Sequence, residues 1–228
     1  MIRSRISRKW LLRNASLLAA SLLCASLVAL AQRGLPSQGF NGFAGMNPDA
    51  GLFLPGVNYS SNGDFGNSVA VADLNGDGKA DVVVANGYNV AVPGNAGVGV
   101  LLGNGNGTLR AAVNYDSGGP GFFANSVAIA DVNGDSKLDL VVADSCNDSF
   151  CLHGNWVAVL LGKGDGTFRG AHRYRSKGAS WAVAVADLNG DGKPDLVVAN
   201  VCSKGNDIHT CTAPGGVGVL LGNGDGTF

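Results

Sequence analysis

The chain contains no glutamate: all seventeen of its acidic residues are aspartate. General acid–base chemistry needs a positioned pair of groups with tuned pKa values, and nine of those seventeen aspartates fall in three short loops described below. No GxSxG elbow is present, since the nearest string, GNSVA from Gly66, lacks its second glycine. GNGNG and GDG strings precede no helical pattern, so they read as hairpin turns rather than phosphate-binding loops. An enzyme is therefore not expected.

Basic residues are scarce beyond the N-terminus. Arg3, Arg5, Arg8, Lys9 and Arg13 account for five of the sixteen, and without residues 1–31 eleven bases face seventeen acids, a net charge of −6. No basic stripe survives, which excludes nucleic acid as a partner. The local run Arg169, Arg173, Arg175 and Lys177 reads as a solvated strand edge. Membrane-spanning length is missing too: the apolar stretch Leu17 to Leu30 falls short of the ~20 residues a span needs. Behind its basic n-region and before the small-residue Ala29-x-Ala31 site, this stretch reads as a signal peptide over 1–31. The expected product is secreted or held at the cell surface, with no stable span after cleavage. Residues 32–52, rich in Gly, Phe, Pro and Asn, read as a flexible lead-in.

Cysteine is sparse and fits export. Cys24 leaves with the signal; Cys146, Cys151, Cys202 and Cys211 remain. Both pairs fall in the same variable loop of successive repeats, and pairing Cys146 with Cys151 and Cys202 with Cys211 keeps those repeats equivalent in an oxidising compartment. Zinc is the weaker alternative, because neither pair has CxxC spacing and His153 and His209 fall in separate repeats.

What the chain has in quantity is oxygen ligands at fixed spacing. DLNGDGKAD from Asp73, DVNGDSKLD from Asp131 and DLNGDGKPD from Asp187 each place oxygen-bearing side chains at the first, third, fifth and ninth positions of a tight loop. Calcium takes six to eight oxygens at about 2.3–2.6 Å, which a short loop supplies only when carboxylates and a backbone carbonyl converge. The candidate ligands are Asp73, Asn75, Asp77 and Asp81 with the Lys79 carbonyl; Asp131, Asn133, Asp135 and Asp139 with that of Lys137; and Asp187, Asn189, Asp191 and Asp195 with that of Lys193. Plain Asx turns are the competing reading, but three copies with all four positions held favour Ca2+. An EF-hand is excluded, since its twelfth-position glutamate is replaced by Val84, Val142 and Val198. The sixth position is Gly78, Ser136 and Gly192, so the middle loop is expected to bind most weakly if a left-handed turn is required there.

These loops sit inside a longer repeat, with units reading 53–109, 110–168 and 169–228. Each unit runs in the same order: a Tyr-containing segment (Tyr59, Tyr115, Tyr174), a Val/Ala run, the acidic loop, a second apolar run, a variable loop, a VGVLL or VAVLL run, and a glycine turn. The apolar runs are about five residues long, Val-rich and bounded by Gly, Asn and Asp, so they read as strands. Several are apolar at consecutive positions, which predicts sheets buried on both faces. Four strands per repeated unit is the pattern of propeller blades.

DLNGDGKPDLVVAN followed by VGVLLGNGDGTF resembles VCBS or FG-GAP-type repeats, relatives of the blades of integrin alpha-chain propellers. The resemblance covers Phe53 to Phe228. It implies an all-β fold of three consecutive four-stranded antiparallel blades, with calcium held by the loop positions named above. Three blades are fewer than a closed propeller of that family uses, so the ring is expected to be partial, completed by further blades, or closed by a homodimer. The function implied is extracellular or cell-surface binding and adhesion, with a protein or carbohydrate ligand on the cysteine-bearing loops. A calcium-stiffened structural spacer is the alternative, and an accessory module of a secreted enzyme a remoter one. Trp181, which opens a strand, is expected to be a core residue.

Overall fold

The structure, a computed structural model, describes residues 55–88, 95–120, 122–146, 156–201 and 214–228. The signal and lead-in expectations, and the loop positions Cys151, Cys202 and Cys211 with the side chain of Cys146, lie outside the described residues. Val57–Phe228 is one compact unit.

Every described element is a strand: β1 (Asp64–Ala72), β2 (Asp81–Tyr88), β3 (Asn95–Leu101), β4 (Val113–Pro120), β5 (Phe122–Ala130), β6 (Asp139–Cys146), β7 (Trp156–Leu160), β8 (His172–Arg175), β9 (Ser180–Ala186), β10 (Asp195–Asn200) and β11 (Gly216–Leu220). They form three antiparallel sheets with neighbours in the order β1-β2-β3-β4, β5-β6-β7-β8 and β9-β10-β11. The all-β, blade-like expectation holds. Two sheets are four-stranded, whereas the third has three strands among the described residues.

The sheets lie face against face and share two apolar seams. In the first seam Val83, Ala85, Val98 and Val100 of the first sheet meet Ala124, Val127, Leu140, Val142 and Leu160 of the second. In the second seam Val141, Ala143, Val157 and Val159 leave the opposite face of that same middle sheet to meet Val183, Leu196 and Val198. Successive residues of a strand point to opposite faces. That is why β6, buried from Leu140 to Ser145, is apolar at consecutive positions. Each fully buried valine or leucine contributes about 1.5–3 kcal/mol, so these seams are the principal cohesion of the stack.

Hydrogen-bonded sheets and sequence repeats are out of phase. The Tyr115 segment, which opens the second sequence unit, is β4 and pairs with β3 as the last strand of the first sheet, Val98 opposite Tyr115. Likewise Tyr174 lies on β8, opposite Val157. Each tyrosine then reaches the following sheet: Tyr115 meets Phe168 edge to face at 5.3 Å between ring centroids, and Tyr174 meets Phe228 at 5.4 Å. Perpendicular aromatic pairs of this kind are favourable beyond their buried area. They staple one sheet to the next.

Polar stitches follow the same rule. Asn67 Nδ2 donates to the Ala124 carbonyl at 3.0 Å, and Asn125 Nδ2 to that of Ser180 at 3.0 Å. The corresponding position on β9 is Trp181, which is 54% exposed rather than buried; no sheet follows to cover it among the described residues. Arg175 stacks over Trp156 at 4.8 Å, so one member of the basic run on β8 has an aromatic partner.

Candidate cation-binding loops

Each acidic loop joins the first two strands of its sheet, Asp73–Ala80 between β1 and β2, Asp131–Leu138 between β5 and β6, and Asp187–Pro194 between β9 and β10. Two left-handed residues fold each one: Gly76 and Gly78, Gly134 and Ser136, Gly190 and Gly192. Ser136 takes φ 63° like its glycine counterparts. A non-glycine residue in that conformation costs about 1–2 kcal/mol.

The side-chain oxygens of the loop converge on its own backbone. Asp73 Oδ1 and Asn75 Oδ1 both accept the Asp77 N–H, at 3.1 and 3.0 Å, and Asp73 Oδ2 accepts that of Gly78 at 2.7 Å. In the middle loop Asp131 Oδ2 accepts the Ser136 N–H at 2.8 Å and Asn133 Oδ1 that of Asp135 at 3.0 Å. In the last, Asp187 Oδ2 and Asn189 Oδ1 accept from Gly192 and Asp191 at 2.9 and 3.0 Å. The Gly192 N–H, helped by those of Gly190 and Asp191, holds the Asp187 carboxyl below the usual carboxylate range. Fifth-position aspartates accept from the lysine two residues on, and Lys79 and Lys137 add ion pairs to Asp77 and Asp135 at 3.3 and 3.5 Å.

The ninth-position aspartates are different in kind. Asp81, Asp139 and Asp195 are fully buried. Asp81 Oδ2 accepts the Leu74 N–H at 2.9 Å and its Oδ1 that of Gly103 at 2.7 Å. Asp139 does the same with Val132 and Gly162, at 2.9 and 2.8 Å, and Asp195 with Leu188 and Gly222, at 2.9 and 2.8 Å. One carboxylate thus ties the acidic loop to the glycine turn that ends the third strand. Burial pushes Asp139 up despite those two donors, and the charges of Asp135 and Asp131 add to it. Sequence reasoning assigned these residues to the metal alone; the invariable glycine after each LL pair was the available signal for the second role.

The donor set is all oxygen, which suits a hard cation. Among the described residues, however, no three acidic, His or Cys side chains are drawn together at metal-holding separation. Their oxygens are engaged with backbone N–H groups instead: Asp131 Oδ1 accepts from Asn133, Gly134 and Asp135, and Asp187 Oδ1 from Gly190 and Asp191. Neighbouring sheets bring these loops onto a common rim, since Gly166 and Gly226 of the glycine turns lie against Asn75 and Asn133 of the preceding loops.

Residues 65–102 match the FG-GAP repeat, and residues 87–142 and 143–198 each match the FG-GAP-like repeat. The chain belongs to the FG-GAP repeat family. It is similar to phosphatidylinositol-glycan-specific phospholipase D of Bos taurus, at 33% identity over 59% of this FG-GAP chain and 18% of that protein. This chain therefore spans under a fifth of that relative's length. A crystal structure of the V. cholerae biofilm matrix protein Bap1 aligns with TM-score 0.32 and 22% identity, over 70% of this chain and 27% of that one; at that score the likeness carries no functional argument.

Proposed function

We propose that the chain is an exported, calcium-binding FG-GAP module that serves extracellular or cell-surface binding and adhesion. The observation that carries this reading is the threefold repetition of one oxygen-lined loop along a single rim, each loop wired to its sheet by a buried aspartate. The ligands would be Asp73, Asn75, Asp77, Asp81 and the Lys79 carbonyl, with Asp131, Asn133, Asp135, Asp139 and Lys137, and Asp187, Asn189, Asp191, Asp195 and Lys193, in the other loops. A bound calcium ion supplies positive charge that lets three carboxylates share one small space. Binding restricted to the folded state then adds about 2.7 kcal/mol at a concentration one hundred times Kd.

The proposal includes no catalytic role: the chain has no glutamate, and most of its aspartates are in these loops. A protein or carbohydrate ligand would be met by the variable loops after β2, β6 and β10, because rigid scaffolds carry recognition on such segments. Isothermal calorimetry on chelator-treated chain, titrated with calcium, tests the metal reading. Two or three sites support it; a folded sample that takes up no calcium reduces the loops to turns and removes it.

A further inference from the structure

Ahead of each sheet the chain reads Tyr-x-Ser-x: Tyr59-Ser60-Ser61-Asn62, Tyr115-Asp116-Ser117-Gly118 and Tyr174-Arg175-Ser176-Lys177. Asn62 and Lys177, at the last position of their strings, are both left-handed, with φ 57° and 60°. Asn62 uses that position to reach across the first sheet. Its Nδ2 donates to the Ala112 carbonyl at 2.8 Å, and its own carbonyl accepts from Asn114 Nδ2 at 2.7 Å. One residue thus occupies the space beside the stretch that leads into β4.

In the second sheet the corresponding place is a cavity. The counterpart of Asn62 is Gly118, and those of Ala112 and Asn114, counted back from the tyrosines, are Ala171 and Arg173. Because Gly118 carries no side chain, the amide that Asn62 presents to Ala112 has no counterpart opposite Ala171. About 240 Å³, open to solvent, lies there between Tyr115–Ser117 of β4 and the stretch from Phe168 to Arg173. Tyr115, Leu160 and Phe168 supply apolar lining, and Arg169 and Arg173 against Asp116 leave one positive charge in excess. Arg169 is exposed and, among the described residues, in no ion pair. Apolar walls with a few placed polar groups are the makeup of a small-molecule site, and the volume lies below the ~300–1,000 Å³ of drug-sized ligands. That suits a single ring.

We propose that this cavity binds one uronic acid residue of an acidic polysaccharide. The sugar carboxylate answers the excess charge by pairing with Arg169 and Arg173, because the planar guanidinium fork matches a carboxylate. A ring hydroxyl donates to the Ala171 carbonyl, as the Asn62 amide does to Ala112. The C–H face of the pyranose lies on the apolar lining, and the open side lets neighbouring sugars continue into solvent. A neutral sugar leaves the charge unanswered; a bare carboxylate brings neither the ring nor the donor. No residue of the acidic loops lines the cavity, so this site stands or falls separately from the calcium reading.

Glucuronate titrated into the full chain, followed by amide shifts in proton–nitrogen correlation spectra, tests this. Saturable shifts are expected at Tyr115–Ser117 and Gly170–Arg173, with glucose and acetate binding about tenfold more weakly or less. Arg169→Ala, at an exposed position, is expected to weaken glucuronate about tenfold. Gly118→Asn installs the residue that fills the first sheet, at a position where Asn62 shows asparagine to be accommodated, and is expected to abolish the shifts while the rest of the spectrum stays in place. A folded wild-type chain with no saturable shift overturns the proposal. So does acetate or glucose matching glucuronate, or undiminished binding in either folded variant.

Discussion

Ser117 Oγ donates to Asp144 Oδ1 at 3.0 Å in the seam between the first two sheets, and the other oxygen of that carboxyl has no hydrogen-bond partner. The same position in the neighbouring sheets is Asn86 and Asn200, whose amides donate to the carbonyls of Ser61 and Ser176. A carboxylate can donate nothing; a carboxylic acid can. Burial, with the charge of Asp116 adding to it and Ser117 and Arg173 opposing, raises Asp144 to about 8.

Stability should therefore depend on pH through this residue. Its folded pKa lies above the unfolded value near 3.8, so its contribution is complete below about pH 4 and is lost as pH rises toward 8, with a slope of up to about 1.4 kcal/mol per pH unit. Asp144→Asn, which restores the residue of the other repeats, should remove that slope and stabilise the protein at pH 8. Urea midpoints of both proteins from pH 4 to 8 measure it, and parallel curves would refute the assignment.

The buried ninth-position aspartates should matter without any metal. Asp139→Ala strands the N–H groups of Val132 and Gly162, at about 1–3 kcal/mol for each unsatisfied group. Asp135→Ala, on the exposed side of the same loop, should change stability little in chelator and weaken calcium uptake. Denaturation in excess chelator separates the two; equal midpoints would mean that Asp139 is a ligand and nothing more.

Ser136→Gly should relieve the left-handed strain at φ 63°. The gain is about 1 kcal/mol, reduced by the greater freedom of glycine in the unfolded chain. Thermal unfolding should show a small rise in Tm, and calorimetry a stronger middle site. A lower Tm would mean that the serine side chain compensates for its backbone.

The aromatic staples should differ in weight. Phe168 is buried beneath Tyr115, whereas Phe228 is only half-buried beside Tyr174. Phe168→Ala should cost about 3–5 kcal/mol, and Phe228→Ala distinctly less. Guanidinium titrations of the two variants give the order directly.

Strand positions and two-sided burial were legible in the sequence because Val and Ala recur at consecutive places in DLVVAD and VAVLL, where short length, β-branching and flanking Gly, Asn and Asp mark a buried strand. The loop residues were equally legible, since their spacing is chemical. The destination of each strand was not. Tyr115 follows a glycine turn in sequence, and nothing local says that the chain pairs backward onto β3 before crossing to the next sheet. Trp181 was misjudged for a related reason: its burial depends on whether a further sheet follows, which side-chain hydrophobicity does not report. Asp81 was read as a ligand because ligand spacing is visible, whereas its bond to Gly103 spans twenty-two residues.

The offset between repeat and sheet bears on how such a chain can lengthen. A segment copied at the sequence period brings three strands of one sheet and the closing strand of its neighbour. Inserted anywhere in the array, it borrows one edge and lends another, so each added copy is tied in by main-chain hydrogen bonds on arrival. A gene built this way gains or loses whole units without leaving an unmatched join inside the stack; only the two outermost sheets ever bear the mismatch.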